Sequence, residues 1–588
     1  MPLEAWFTVG ILLIVFGLLM KTRLPTDAVL MGGVGVLLVF GIVDAKQAFA
    51  GFSNSGVITV GVLFVVAAGV RDSGAIWPLI RGLLGSTKSI FWAQTRLMLP
   101  IAAFSGFLNN TPLVAMLVPA ITDWSRRSGV ASSKLLIPLS YAAILGGMCT
   151  LIGTSTNLVV NGLMIERGME TMGVFDISII GVPCALAGIA TILLVGRKLL
   201  PDRRPAVSRL DDPRQYTLEM MVEDGGVNVG KTIEEAGLRH LGGVYLMEID
   251  RDGRVIPAVG PEQVLEAGDR LVFVGVVDSV KELRTWPGLV PATNQIFKLD
   301  GTDSERLLVE AVVSDSSPLL GKSIREGRFR TMYNAAVIAV ARNGERVEGK
   351  IGDIELRAGD TLLLEAQRSF LASHRNSRDF FLVSGLSRFT EPTPQKAWIA
   401  LAIVAGMVLL KAVGLFTMLQ AALIASAAML VTGCLTLEGA KRGINRDLLV
   451  AIAAAFGLGN ALRESGAADA IAQGIMGLAA GEPWLTLLAI YIITAIFTET
   501  VTNNAAAVVV FPIAYSASQV LGVSFTPFAY AIMIAASASF VTPIGYQTNL
   551  MVFGPGGYRF TDFTKVGTPV ALAVAVVALA LLPVLVPF

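Results

Sequence analysis

The chain has 588 residues, 54% of them hydrophobic and 15% charged, with a formal net charge of +1. Soluble domains carry about 25% charged residues, so this balance excludes an all-soluble protein, and near neutrality excludes nucleic-acid binding driven by overall charge. The charges are segregated: 56 of the 91 Lys, Arg, Asp and Glu residues fall between Pro201 and Lys396, so a water-soluble insert divides two membrane-embedded flanks.

From the N-terminus, MPLEAWFTVGILLIVFGLLM is followed by KTR, with no basic start and no small-residue cleavage site, so it reads as a retained first span. Apolar stretches near the roughly 20 residues that a bilayer requires follow at 26–43, 54–70, 135–165 and 175–196. The second flank offers 398–433 as two passes, then 447–462, 525–553 and 566–587. Residues 91–125 and 484–520 are apolar but interrupted by FLNNTP and TETVTNN. Each is predicted to be a re-entrant hairpin whose tip is shielded by protein or lines a wet cavity, because lipid forbids an exposed turn.

Basic residues predict the sidedness. Lys21, Arg23, Arg81, Lys88, Arg126, Arg127, Lys134, Arg197, Lys198, Arg203 and Arg204 are expected on the cytoplasmic side. In the second flank, so are Lys396, Lys441, Arg442, Arg559 and Lys565. The first hairpin then enters from the cytoplasm and the second from outside, which is an inverted-topology repeat. The expected location is the inner (plasma) membrane, with residues 205–390 cytoplasmic.

Motifs support the duplication. FLNNTPLVAMLVPAI aligns with VTNNAAAVVVFPIAY, and TLIGTSTNL at 150 matches TPIGYQTNL at 542 in six of nine positions. Asn110 to Asn157 spans 47 residues and Asn503 to Asn549 spans 46; VRDSGA at 70–75 is echoed by LRESGA at 462–467. Motifs recurring in order at matched spacing signal a repeat, here over 1–200 and 390–588. The insert is itself doubled: Gly230 to Gly268 and Gly321 to Gly359 both span 38 residues. Each copy predicts a short helix after GK, a strand, a turn at DRDG or RNGE, and a strand after GD.

The membrane motifs carry hydroxyls, carboxamides and bare backbone. The expected substrate-binding groups are Asn109, Asn110, Thr111, Thr154, Ser155, Thr502, Asn503, Asn504, Gln547 and Thr548. Amide and hydroxyl hydrogens at helix N-termini suit an anion. Amide and hydroxyl oxygens with freed carbonyls are hard ligands suited to Na⁺. Broken helices meeting from inverted halves are how many secondary transporters build such sites. A lone Asn or Thr in a membrane helix is usually packing glue, but packing does not require matched order in four motifs. Glu499 is an intramembrane acid, open to a cation or proton role or to pairing with backbone at the hairpin tip. Arg71–Asp72 and Arg463–Glu464 are expected to mark matching span ends or ion pairs. Both histidines, His240 and His374, lie outside the membrane flanks. The three cysteines have no metal or disulfide spacing, and no nucleophile–base pair or phosphate loop points to an enzyme.

AFSGFLNNTP and FTETVTNNA resemble the paired Ser-Asn-Thr tips of the divalent anion/sodium symporter (SLC13/DASS) family, and GTSTN and TPIGYQTN resemble its Asn-ended loops. The copies at 205–290 and 297–373 resemble the C-terminal RCK (TrkA-C) domain, as found in a sulfate-permease branch of that family. The resemblance implies an α-helical polytopic inverted-repeat transporter of elevator type, a homodimer, Na⁺ coupling, and two small α+β cytoplasmic domains. Those domains would bind a regulatory ligand such as a nucleotide, or mediate dimerisation. It further implies Na⁺ ligation by Asn110 and Asn503, with Ser105 and Thr498, and at the loops by Gly153, Asn157, Gly545 and Asn549. The tips read Asn-Asn-Thr and Thr-Asn-Asn, where dicarboxylate carriers have Ser-Asn-Thr twice, which favours a small inorganic oxyanion such as sulfate. The alternatives are a Na⁺- or H⁺-coupled carrier of dicarboxylates or other anions, an arsenite-permease-like exporter, and an RCK-gated channel.

Overall fold

The computed structural model describes residues 2–21, 24–74, 89–170, 172–203, 217–238, 244–251, 254–257, 262–275, 286–292, 306–314, 317–342, 345–347, 349, 351–367, 370, 374, 379–385, 396–500 and 502–588. Arg23, Arg81, Lys88, Arg204, His240 and the turn residues 252–253 and 343–344 lie outside the described residues. Two compact units emerge: Met1–Arg203 with Thr390–Phe588, and Arg204–Phe389.

The first unit is helical. Its first half contains α1 (Leu3–Lys21), α2 (Thr26–Val39), α3 (Ser55–Asp72), α4 (Ile90–Ser105), α5 (Asn110–Ser128), α6 (Leu136–Gly147), α7 (Ser155–Glu166) and α8 (Ser178–Leu199). The second contains α9 (Ala397–Ala412), α10 (Met418–Val431), α11 (Arg446–Glu464), α12 (Ala467–Leu478), α13 (Pro483–Thr500), α14 (Asn503–Leu521), α15 (Thr526–Ser537), α16 (Gln547–Phe553) and α17 (Phe560–Leu585). Among the described residues, five helices are long and apolar enough to cross a membrane: α3, α8, α13, α14 and α17. The number is six if α11 and α12, which meet at 73°, form one broken span. This is a polytopic membrane protein.

Several helices of the two halves correspond. α3 packs on α10, and its counterpart α11 packs on α2, while α8 runs along α17. Such reciprocal exchange is what a pseudo-two-fold axis requires. Local chemistry repeats as well. Asn54 caps α3 by accepting from Gly56 N at 2.8 Å, and Asn445 caps α11 by accepting from Leu448 N at 3.1 Å, contacts of about 1 kcal/mol each. The VRDSGA and LRESGA echoes are helix ends, with Ser73 and Ser465 as C-caps and Gly74 and Gly466 left-handed at φ 68° and 72°. Within them Arg71 pairs with Asp72 at 2.9 Å and Arg463 with Glu464 at 2.6 Å.

The apolar stretches at 135–165 and 525–553 are helices broken at their Gly-bearing motifs, by residues 148–154 and 538–546. α12 and the short helices Ala45–Ala48 and Leu437–Gly443 were not expected. Both predicted hairpins are present as helix pairs, α4–α5 and α13–α14. The arms of the second have 18 and 19 residues and are long and apolar enough to span alone, so length does not impose re-entry.

The second unit holds two five-stranded antiparallel sheets. The first contains β1 (Thr217–Val222), β2 (Val244–Arg251), β3 (Arg254–Pro257), β4 (Arg270–Gly275) and β5 (Leu289–Pro291). The second contains β6 (Arg306–Val313), β7 (Ala335–Arg342), β8 (Glu345–Arg346), β9 (Thr361–Gln367) and β10 (Phe380–Gly385). Their orders, β3-β2-β4-β1-β5 and β10-β6-β9-β7-β8, are the same when the second is read in reverse. Each has its own apolar core, around Met220, Ile249 and Phe273 in one and Val309, Leu364 and Phe380 in the other. All four spacing glycines are left-handed, Gly230 at φ 81°, Gly268 at 80°, Gly321 at 75° and Gly359 at 84°, a conformation that favours Gly. Arg251 binds Asp269, and Arg342 binds Asp360, each with Nε–Oδ1 at 2.7 Å; these carboxylates raise the guanidinium pKa values.

Two expectations need correction here. The second copy extends past residue 373, because β10 pairs with β6 from Phe380 to Gly385. After GK each copy forms turns rather than a helix at once. Thr232 and Glu235 bond reciprocally, as do Ser323 and Glu326. Left-handed Gly237 then ends the first turn, while the second copy adds only Phe329–Tyr333.

Candidate functional site

The sequence motifs meet where each hairpin tip reaches the broken helix of the opposite half. In the first hairpin, Ser105 Oγ lies 2.5 Å from Asn110 Oδ1 and 2.7 Å from the Ala143 carbonyl oxygen on α6. In the second, Thr498 Oγ1 lies 3.0 Å from Asn503 Oδ1 and 2.6 Å from the Ala536 carbonyl oxygen on α15. All three residues are displaced by 393 positions between the halves. Each hydroxyl has one hydrogen and faces two acceptors, so each cluster holds more oxygen than its own hydrogens can satisfy. Ser105, Thr498 and Asn110 are almost completely buried.

The breaks match too. Thr150 Oγ1 accepts from Gly153 N, and Thr542 Oγ1 accepts from Gly545 N, both at 3.1 Å. Asn157 Nδ2 donates to the Thr150 carbonyl at 2.8 Å, and Asn549 Nδ2 to the Thr542 carbonyl at 3.2 Å. Gly153 has to be glycine: an added Cβ would lie 2.7 Å from the Gly147 oxygen and 2.9 Å from the Ser105 oxygen, closer than any side chain tolerates. The halves differ in one respect here. Ser140 Oγ reaches Thr548 Oγ1 at 2.8 Å and Asn549 Oδ1 at 2.7 Å. In the first half, Thr156 Oγ1 and Asn157 Oδ1 are buried without a hydrogen-bond partner.

Cross-contacts between the halves complete the site. Thr111 Oγ1 lies 3.3 Å from Gln547 Oε1, and the Asn504 carboxamide lies within 3.2 Å of Ser155 Oγ. Thr154 and Tyr546 are the N-caps of α7 and α16, with φ of −136° and −139°, and their hydroxyls are 3.5 Å apart. Tyr546 Oη accepts from Asn110 Nδ2 at 2.7 Å. Asn109 and Thr502 cap α5 and α14 by accepting from Thr111 N and Ala505 N. Asn109, Gly153 and Ser155 also line a groove whose other walls, Val60, Leu63 and Met407 among them, are apolar.

Glu499 pairs with backbone. Its carboxylate accepts from Val541 N at 2.8 Å, Thr542 N at 3.0 Å and Thr542 Oγ1 at 2.7 Å. The first half has Gly106 in that position.

Every expected site residue therefore falls in one of four contiguous segments, and the segments touch. Sequence reasoning missed Ser140, Tyr546 and the two carbonyls. Tyr546 had a visible signal, since it is one of three positions at which TPIGYQTNL departs from TLIGTSTNL. A backbone carbonyl has none. Among the described residues, no group of three His, Cys, Asp or Glu side chains could hold a metal.

Comparison with known proteins agrees with this architecture. A chain of Chlamydomonas reinhardtii named for the response to sulfur deprivation is 37% identical over 567 residues, covering 94% of this chain and 96% of its own length. An uncharacterized transporter of Synechocystis is 32% identical, covering 95% and 94%. "Sodium/sulfate cotransporter 2" of Chlamydomonas reinhardtii is 29% identical, covering 91% and 84%. The family model described as "CitMHS: Citrate transporter" matches residues 11–535, and the chain belongs to this family of membrane transporters.

Proposed function

We propose that this protein is a secondary active transporter that couples Na⁺ entry to uptake of a small divalent oxyanion, with sulfate as the substrate. The observation that carries the reading is the pair of matched oxygen clusters, Ser105–Asn110–Ala143 and Thr498–Asn503–Ala536. A hydroxyl faced by two acceptors, beside buried oxygens without partners, suits a hard monovalent cation. Ser105, Asn110, Thr498 and Asn503 would hold Na⁺ with the two alanine carbonyls, and Gly153, Asn157, Gly545 and Asn549 would shape the break beside them. The anion would meet Asn109, Thr111, Thr154, Ser155, Thr502, Asn504, Gln547 and Thr548. These neutral dipoles supply no net charge, so the cations supply it.

The name of the Chlamydomonas "Sodium/sulfate cotransporter 2" supports sulfate and sodium; the family model's description points to citrate as the second candidate. On this reading the hairpins are re-entrant, the protein is a homodimer working by an elevator motion in the inner membrane, and the insert is a cytoplasmic regulatory or dimerisation unit. The test is labelled sulfate uptake into proteoliposomes with and without an inward Na⁺ gradient. Na⁺-driven accumulation is expected. Accumulation of citrate but not sulfate would overturn the substrate, and accumulation driven only by H⁺ would overturn the ion.

A further inference from the structure

The oxygen clusters repeat between the halves, but the cap positions of α7 and α16 do not. Thr154 and Tyr546 occupy equivalent cap positions, yet one is a short alcohol and the other a phenol. The phenol crosses from the second half to the first and accepts the Asn110 Nδ2 hydrogen at 2.7 Å. The matching carboxamide, Asn503, makes no hydrogen bond through Nδ2 among the described residues. The two Asn side chains thus share one arrangement at Oδ1 and differ at Nδ2.

The direction of the bonds matters. Asn110 Oδ1 faces the first oxygen cluster, and its Nδ2 donates to Tyr546 Oη. The phenol oxygen is therefore an acceptor toward Asn110, and its own hydrogen points elsewhere. The neighbouring hydroxyl, Thr154 Oγ1, is 3.5 Å away, too long for a good hydroxyl bond. Tyr546 is half-buried, so that hydrogen can reach a ligand seated between the halves. Sulfate is fully deprotonated at neutral pH and asks its site for donors.

Resting on the reading given under Proposed function, we propose that Tyr546 is a substrate-contacting residue through which the first cation cluster acts on the anion. A cation at Asn110 Oδ1 withdraws electron density from the carboxamide. That strengthens the Nδ2–H donated to Tyr546 Oη and makes the phenol hydrogen a better donor to the oxyanion, as bonds in a chain polarise one another. In the second half, Asn503 offers Nδ2 directly. Two matched cation cradles therefore address the anion in two ways, one through a relay and one without.

The test uses full-length purified protein, wild type and Tyr546→Phe. Sulfate binding is titrated at a series of Na⁺ concentrations, and the thermal shift produced by Na⁺ alone is measured against choline. Loss of one hydrogen bond to a charged ligand should weaken sulfate binding at saturating Na⁺ by about 10-fold or more. The Hill coefficient for Na⁺ in supporting sulfate binding should fall from about two toward one, since one of two sites is uncoupled. The Na⁺-only thermal shift should persist.

Wild-type sulfate affinity and Na⁺ dependence in Tyr546→Phe would overturn the proposal while leaving the transport reading intact. So would a lowered melting temperature with an unchanged Hill coefficient, which is what a mere strut between the halves would give. Absence of Na⁺-dependent sulfate binding in the wild type would remove the transport reading and the proposal together.

Discussion

The two halves of the membrane unit agree where oxygens cluster and disagree where the halves face one another. Ser105–Asn110–Ala143 and Thr498–Asn503–Ala536 keep the same atoms in the same arrangement. By contrast Thr154 stands against Tyr546, Gly106 against Glu499, and the partnerless Asn157 Oδ1 against an Asn549 Oδ1 served by Ser140. A small spherical cation asks the same of each half. An anion between the halves can be met from each side by different groups, so duplication leaves the axis free to diverge.

The comparison can be broken most forcefully at its conserved part. Asn110→Ala and Asn503→Ala should each reduce Na⁺-driven uptake by at least about 100-fold, as loss of a cation ligand does, in proteoliposomes containing equal amounts of folded protein. Normal uptake in either variant would remove that cradle from the site. Next come the break glycines. Gly153→Ala would press a methyl group onto backbone that cannot move, destabilising the protein by about 3 kcal/mol. Gly545→Ala meets the side chains of Ser539 and Glu499 instead, and should lower the melting temperature less.

Glu499→Gln probes an asymmetry. It weakens charge-assisted bonds to Val541 and Thr542 and should destabilise the protein by about 2 kcal/mol. Its positional mate tolerates change: a Cβ on Gly106 meets nothing nearer than 3.4 Å, so Gly106→Ala should stay within about 0.5 kcal/mol. The smallest effect is expected at the paired helix ends. Arg71→Ala and Arg463→Ala, each removing a partly exposed ion pair, should both change stability by less than about 1 kcal/mol. A large effect from only one of them would show that the echo is not symmetric in energy.

Much of this architecture is legible in the sequence. Hydropathy marked the spans, and Asn110, Asn157, Asn503 and Asn549 at matched spacing marked the segments that converge. The charge-rich third marked the insert, and its four spacing glycines proved to be left-handed turns. What escaped follows from physics. The limits of the two breaks, 148–154 and 538–546, were not readable because hydropathy does not register backbone that stops hydrogen-bonding to itself. Strand β10 was missed because a six-residue strand separated by a long connection leaves no periodicity to read. The carbonyls of Ala143 and Ala536 were invisible because every residue has one.

The cross-contacts have a consequence for ancestry and for gene architecture. Thr111 needs Gln547, Ser155 needs Asn504, and α2 and α10 are each packed on a helix of the opposite half. Neither half has a closed surface of its own. A half-length ancestor with these surfaces would have needed a second copy of itself to cover them, and fusing the two copies would keep them together. If so, residues 1–203 and 390–588 expressed as two polypeptides should find each other in the membrane, and neither should accumulate alone.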